Sequence, residues 1–190
     1  MKTYPILFML VLAAFSLQPV RAQSEQEKKM EAFIKTLSPV EEHKILHRWV
    51  GNWDIAMQMG TALDKPPVGK GTIKGRMMFG GRFLFLETEG ISMGRKVSAL
   101  TIVGYDVHTK QYYAVATGEN STAMYTSRGT YDSTTSSIDL HGEMDDPFGK
   151  RPVRYVYILK EGSPPVFDAY DTQNGVEKLI VRMTCQPAQK

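Results

Sequence analysis

Cysteine is nearly absent from the sequence. Cys185 is its single occurrence, so the chain has no second cysteine with which to form an intramolecular disulfide. A domain without disulfides depends on a hydrophobic core, and residues 23–190 are enough to bury one. No basic or histidine residue adjoins Cys185 to activate its thiol, and we interpret this residue as part of that core.

Long apolar runs are also lacking. The most apolar stretch, Ile6–Phe15, has ten residues, whereas a helix that spans a membrane needs roughly 20. Lys2 precedes this stretch and Val20–Ala22 follows it, in the order that is typical of a cleavable signal peptide. We therefore predict a signal peptide over residues 1–22, cleavage near Ala22, and a periplasmic or secreted protein without a membrane span. An uncleaved anchor is the alternative.

The sequence has no strong excess of charge of either sign. Its net charge is +3, but Lys2 and Arg21 belong to the predicted signal peptide. Without these two residues the chain has 21 basic and 20 acidic residues, which gives a net charge of +1. Nucleic-acid binding requires a clustered basic face, and a polybasic membrane anchor requires a run of lysine and arginine. We predict neither activity.

Motifs for cofactors are missing as well. Gly69, Gly71 and Gly75 do not have the spacing of a dinucleotide-binding loop, and the chain contains no P-loop. Gly90-Ile91-Ser92-Met93-Gly94 has the letters of a G-x-S-x-G motif, but the antiparallel barrel predicted below lacks the strand-turn-helix elbow which that motif needs. We predict no cofactor and no catalytic residues, and we favour a protein that is not an enzyme.

Two short helices are predicted at the N-terminus. The first covers residues 24–37, where four apolar residues recur at helical spacing: Met30, Phe33, Ile34 and Leu37. The second follows Ser38, which we expect to act as the N-cap, with Pro39 in the first turn and Glu41 completing a capping box. It should end near Arg48.

From Gly51 onward the apolar residues follow a period of two, which is typical of half-buried strands. The first strand contains Trp53 and Ile55, and further strand-like stretches cover 71–79, 82–89, 95–105, 110–118, 121–131, 136–143, 152–160, 165–172 and 176–185. Their hairpin-length connections, such as Asn174-Gly175, require an antiparallel sheet. We predict an all-β, antiparallel, up-and-down barrel of about ten strands over residues 51–187, preceded by a helical segment over 23–50.

Several short motifs occur in the order in which one known family carries them. They are Glu42-His43-Lys44 with Leu46, Gly51-Asn52-Trp53-Asp54, Gly80-Gly81-Arg82-Phe83-Leu84, Gly104-Tyr105-Asp106, Gly129-Thr130-Tyr131-Asp132 and Asp145-Asp146-Pro147. Over about residues 40–185 the chain thus resembles the bacterial family called domain of unknown function 1579. The resemblance implies an exported, lipocalin-like barrel with no established activity.

Lipocalins begin their first strand with Gly-x-Trp and place a late arginine over the indole. Gly51-Asn52-Trp53 and Arg182 resemble this arrangement, which implies that Arg182 lies on the Trp53 ring and closes the barrel floor. A cation over an indole face stabilises a fold by about 0.5–2 kcal/mol.

His43 and His47 are candidate metal ligands, since residues four apart share one face of a helix. Lys44 stands where a zinc protease has its glutamate, and a closed zinc site needs further ligands. We predict no metal site and interpret this segment as a helix that packs over one mouth of the barrel, with its histidines in ordinary hydrogen bonds; metal binding by His43 and His47 is the alternative.

A barrel of this size can fill itself with side chains or hold one small ligand. Arg154, Glu87 and Tyr113 are the candidates for binding the polar end of such a ligand, and the alternative for each is a structural ion pair or hydrogen bond. We predict a protein that binds or carries a small, mostly apolar ligand in the cell envelope. A filled barrel acting as a surface interaction or stress-related structural protein, and an enzyme that uses the cavity, are the alternatives. The ligand and the oligomeric state stay open.

Overall fold

The computed structural model describes residues 18–147 and 149–189, so most of the predicted signal peptide lies outside the described residues. They divide into two compact units, with the boundary after Ser38. The first unit contains helix α1, Gln18–Thr36, which begins six residues before the helix predicted over 24–37. No helix of the described part is both long and apolar enough to cross a membrane.

The second unit begins with helix α2, Glu41–Ile45, and a 3₁₀ helix, Leu46–Trp49. We call Glu41–Trp49 the plug segment. Ten strands follow it: β1 Gly51–Met59, β2 Gly69–Met78, β3 Phe83–Ser92, β4 Arg95–Asp106, β5 Gln111–Gly118, β6 Tyr125–Asp132, β7 Ser137–Asp146, β8 Gly149–Ile158, β9 Val166–Gln173 and β10 Val176–Pro187. A further 3₁₀ turn, Gly60–Ala62, lies between β1 and β2.

The ten strands close into an antiparallel up-and-down barrel, which confirms the predicted fold class. Each strand pairs with the next along the chain, and β10 returns to pair with β1. The closing ladder sets Trp53 opposite Pro187 and Met59 opposite Val181. Closure leaves none of these ten strands with an unpaired edge that could template association with another chain.

The hairpin between β9 and β10 is built as its sequence predicts. Asn174 and Gly175 both have positive φ values, 52° and 75°. A two-residue turn of this kind matches the right-handed twist of the flanking strands, and asparagine followed by glycine adopts it with little strain.

The hydrophobic core lies at the end of the barrel that carries the plug segment. It combines Leu46 and Trp49 of the plug with strand residues that face inward, among them Ile73, Leu84, Val103, Tyr112, Ile138 and Leu140. The side chains of a strand alternate between its two faces. One buried residue therefore shows which side chains of its strand point into the barrel and which point outward. On β3, for example, the buried Leu84 and Leu86 place Phe85 and Glu87 on the outside.

The predicted capping box at Ser38 is wrong. Helix α2 begins at Glu41 with Val40 as its N-cap, and the Nδ1 atom of His43 accepts the Val40 backbone N–H at 3.0 Å. Histidine thus takes the role that glutamate or glutamine has at the third position of a capping box. Glu41 instead bonds to Lys44 at 2.7 Å on the surface.

Candidate ligand-binding cavity

The plug segment is held in one end of the barrel by hydrogen bonds to backbone carbonyls. The Tyr112 hydroxyl donates to the Glu42 carbonyl at 2.8 Å, and the Arg48 guanidinium donates to the Leu159 carbonyl. The indole N–H of Trp53 donates to the Trp49 carbonyl at 3.1 Å. Tyr112 and Trp53 donate from strands, and Arg48 donates from the plug segment. Together these bonds hold the plug segment in place, and it closes this end of the barrel.

Glycine at one position of β2 lets the plug approach the sheet. A Cβ added at Gly75 would lie 1.9 Å from the Trp49 carbonyl oxygen, a distance that no side chain can occupy. The backbone of Trp49 therefore rests directly on β2, and this contact fixes the position of its indole ring.

A cavity of about 240 Å³ lies inside the barrel next to this indole. Sixteen residues line it: Trp49, Met57, Ile73, Leu86, Thr88, Val97, Ala99, Thr101, Ala114, Ala116, Tyr125, Ser127, Tyr155, Tyr157, Phe167 and Met183. None of these described residues is charged. The wall is mostly apolar, and the hydroxyl groups of its threonine, serine and tyrosine residues supply its polarity.

Small side chains explain why the barrel is open at this level. Ala114 and Ala116 on β5 and Ala99 on β4 all face inward, where the core has leucine or tyrosine on other strands. Because an alanine projects only one carbon from the strand, three such positions on adjacent strands leave space that the opposite wall does not reach.

Two aromatic residues of the wall carry buried polar atoms. Trp49 is 1% exposed and its Nε1 has no hydrogen-bond partner among the described residues. Its ring meets that of Tyr157 edge to face, with the centroids 5.8 Å apart. Burial raises the pKa of the Tyr157 hydroxyl, and the nearby Tyr155 adds to the effect. Tyr157 is therefore a neutral hydroxyl at physiological pH.

A cluster of charged residues lies inside the barrel towards the end opposite the plug. The Arg151 Nε atom is 2.8 and 2.9 Å from the two carboxylate oxygens of Asp171, and its terminal nitrogens bind Asp146 at 2.7 and 3.0 Å. The Arg151 side chain is 19% exposed and that of Asp171 is 5% exposed. The hydrogen bonds to Asp146 and Asp171 raise the pKa of Arg151. One guanidinium is thus neutralised by two carboxylates.

Sequence reasoning missed this cluster, although the strand pattern contained a signal for it. Val153 and Tyr157 on β8 are buried, so Arg151 shares their inward face. The same alternation puts Arg154 on the other face. The inward arginine of β8 is therefore Arg151, whereas the residue predicted to bind the ligand is Arg154.

The three residues predicted to bind the polar end of a ligand do not line the cavity. Glu87 faces outward from β3 and forms an ion pair with Arg76 at 2.6 Å. Tyr113 faces outward from β5, with its hydroxyl 3.4 Å from that of Thr109. Glu87 thus has the ion pair and Tyr113 the hydrogen bond that we gave as alternatives to ligand binding, and both contacts lie on the surface.

Arg154 is also an outer-face residue. Its guanidinium binds Glu177 at 2.6 Å, lies 3.2 Å from Asp139, and stacks over the Tyr170 ring at 4.4 Å from the centroid. These contacts join four adjacent strands, β7 to β10, from the outside. Arg154, Glu87 and Tyr113 are therefore dispersed over the surface and do not form one site.

The predicted pairing of Arg182 with Trp53 is wrong. On the closing ladder Arg182 lies opposite Gln58, five positions along β1 from Trp53. Its guanidinium instead makes a bidentate pair with Asp168, at 2.7 and 2.6 Å. Trp53 still contributes to closure, because its N–H holds the plug segment, but arginine has no part in that contact.

His43 and His47 do not converge on a common site. The His43 ring is buried, caps α2 and meets Tyr105 edge to face at 5.7 Å, while His47 is exposed. Burial lowers the pKa of His43, so the ring is neutral when it accepts the Val40 N–H. Among residues 18–147 and 149–189, no three histidine, cysteine or acidic side chains are grouped so as to hold a metal.

A closed antiparallel barrel, plugged at one end and hollow beside the plug, defines a lipocalin-like barrel protein. The chain belongs to the family described as protein of unknown function (DUF1579), which matches residues 38–186. The match covers the plug segment and nearly all of the barrel, and it confirms the resemblance found in the sequence. No curated protein matches the chain.

Proposed function

We propose that the barrel binds a small, mostly apolar ligand in the cavity beside Trp49. The observation that carries this proposal is an uncharged cavity of about 240 Å³ inside an otherwise packed core. An engineered apolar cavity of about 150 Å³ holds benzene, so this one has room for roughly ten non-hydrogen atoms. Small-molecule sites are usually concave, mostly apolar cavities with a few polar groups, and this cavity has that character.

The two alternatives have less support. A fully filled barrel would leave no cavity of about 240 Å³. An enzyme in the same cavity would need an acid or a base in the wall, and the described lining residues include no carboxylate and no histidine. Binding without chemistry is thus the function that this wall supports best.

We place this activity in the cell envelope, because residues 1–22 have the pattern of a signal peptide. Intact-mass measurement of the protein from its own host tests this part of the proposal. A mature chain that begins near Gln23 in the envelope fraction would support it. A full-length chain in the cytoplasmic fraction would overturn it.

A cavity-filling variant tests the binding itself. Ala116 lines the cavity, and Ala116→Phe would occupy much of the space, whereas Thr130→Phe adds the same ring to an exposed position of β6. Native mass spectrometry of protein from its own host should show a co-purifying small molecule on the wild type and on Thr130→Phe but not on Ala116→Phe. The proposal fails if the wild type carries no adduct and is not stabilised by any of a panel of small apolar compounds.

A further inference from the structure

The hairpin that joins β3 to β4 carries two strongly exposed apolar side chains at the end of the barrel opposite the plug segment. Met93 in its turn is 67% exposed, and Ile91 just before the turn is 54% exposed. The backbone N–H of Met93 donates to the Val68 carbonyl at 3.0 Å, which joins this turn to the connection before β2. Val68 is also exposed. We call Val68, Ile91 and Met93 the hairpin tip.

Methionine is an unusual residue for this turn. Met93 and Gly94 have φ values of 49° and 75°, nearly those of Asn174 and Gly175 in the hairpin between β9 and β10. Such a turn favours asparagine at its first central position, because other side chains adopt a positive φ less readily. Strain that a fold keeps in place is a pointer to function. The chain therefore presents an exposed apolar group where asparagine would suit the backbone better.

Three cationic side chains surround the hairpin tip. On the outer face Ile91 pairs with Lys70 across one ladder and with Lys96 across the other. Arg95 directly follows the turn, and all three cations are exposed. Within the part of the chain that the structure describes, none of the three forms an ion pair. The nearest acid on β3 is Glu89, which lies two residues farther from the turn than Ile91. Strand pairing thus gathers cations that form no long run in the sequence.

We propose that the hairpin tip docks the barrel on the surface of an anionic phospholipid bilayer. Its apolar side chains enter the boundary between headgroups and acyl chains, and Lys70, Arg95 and Lys96 bind the lipid phosphates. A second protein fits less well, because three side chains offer far less than the roughly 800 Å² per partner of a standard interface. Val97, on the same hairpin, lines the cavity, so docking brings the proposed binding site close to the bilayer.

Vesicle flotation of the protein purified from its own host tests this docking. Binding to phosphatidylcholine vesicles that contain about 30% phosphatidylglycerol should be at least about tenfold stronger than binding to phosphatidylcholine alone. Combining Lys70→Gln with Lys96→Gln should reduce this preference to less than about threefold. Met93→Asn should weaken binding to the anionic vesicles at least about fivefold and at the same time raise the melting temperature, because asparagine suits the turn.

Phe79→Asn is the matched control for Met93→Asn. Phe79 is 65% exposed and has a φ of 51°, but it lies in the turn between β2 and β3 at the plugged end of the barrel. This variant should bind both kinds of vesicle within about twofold of the wild type.

A fluorophore on the turn gives a second readout. Cys185 is 1% exposed, so an environment-sensitive dye labels the thiol introduced by Met93→Cys selectively. Its emission should shift to shorter wavelength with anionic vesicles, whereas the same dye on Phe79→Cys should not respond.

Three results would overturn the proposal. The wild type would bind neither kind of vesicle, it would bind both equally well, or Met93→Asn would bind the anionic vesicles as the wild type does. The last result would assign the binding to another apolar surface, such as the exposed Phe33 and Ile34 of α1. Since these assays contain no cavity ligand, a negative result leaves the proposed function to its own test with Ala116→Phe.

Discussion

Trp53 donates its indole N–H to the backbone carbonyl of Trp49 at 3.1 Å, and this bond joins the first strand to the plug segment. The Gly51-Asn52-Trp53 opening of β1 therefore contacts the plug segment and not Arg182. Since Trp49 is also a wall of the cavity, the geometry at the plugged end controls the shape of the proposed binding site.

The contact between the plug and β2 should be sensitive to one added carbon. Gly75→Ala would place a Cβ against the Trp49 carbonyl, and we expect it to lower the free energy of unfolding by about 2 kcal/mol or more. Trp53→Phe removes the hydrogen bond together with part of the packed indole ring and should lower it by about 1 kcal/mol or more. Urea denaturation measures both. Lys74→Ala, at the exposed neighbouring position, is the control and should change stability little.

His43 should make the stability of the barrel dependent on pH. Its pKa is lowered by burial from the ordinary 6.5, so below that pH the unfolded chain binds a proton more readily than the folded one. Stability is therefore full above pH 6.5 and falls as the pH decreases through the interval down to the folded pKa. His43→Gln keeps an acceptor for the Val40 N–H and should lose this part of the pH dependence.

Thermal unfolding between pH 8 and pH 5 measures that dependence. His47→Gln is the matched control, because this histidine is exposed, and it should follow the wild-type profile. A His43→Gln profile that is parallel to the wild type would show that the ring does not titrate in this interval.

The ion cluster around Arg151 should contribute to stability far more than its counterpart on the surface. Arg151→Met removes the guanidinium that binds Asp171 and Asp146, and we expect it to lower the free energy of unfolding by more than Arg76→Met does. Arg76→Met removes the partner of Glu87 at a half-exposed position and should cost less than about 1 kcal/mol. Equal losses in guanidinium chloride unfolding would contradict the placement of Arg151 inside the barrel.

The correction to Arg182 can be tested by double-mutant cycles. Arg182→Ala leaves the buried Asp168 carboxylate unpaired and should cost about 3 kcal/mol. In the double variant with Asp168→Ala, the change in the free energy of unfolding should differ from the sum of the single changes by more than about 1 kcal/mol. In the double variant with Trp53→Phe, it should equal that sum within about 0.5 kcal/mol. Coupling to Trp53 would restore the arrangement implied by lipocalins.

The strands could be predicted because their signal is local. Alternation from Gly51 onward and turns such as Asn174-Gly175 depend on neighbours in the chain, and the structure has strands at each predicted stretch. The prediction over 121–131 began too early, since β6 starts at Tyr125. Alternation does not show where pairing begins, because that depends on the partner strand.

The chemistry of Arg154, Glu87 and Tyr113 does not predict which side of the barrel they face. Alternation with the buried Leu86 and Tyr112 places Glu87 and Tyr113 on the outside. No local pattern distinguishes Trp49 from any other apolar residue of a short helix. Its importance arises from contacts with residues that are distant in sequence.

The sequence by itself determined the class of fold, because a period of two with tight turns at every break allows little besides an antiparallel sheet that closes. Only the tertiary structure decided what the barrel contains. Whether an inward position meets another side chain, an ion pair or empty space depends on the opposite wall, to which the chain returns many residues later. For that reason the hollow beside Trp49 and the cluster around Arg151 emerged only once the strands had closed around them.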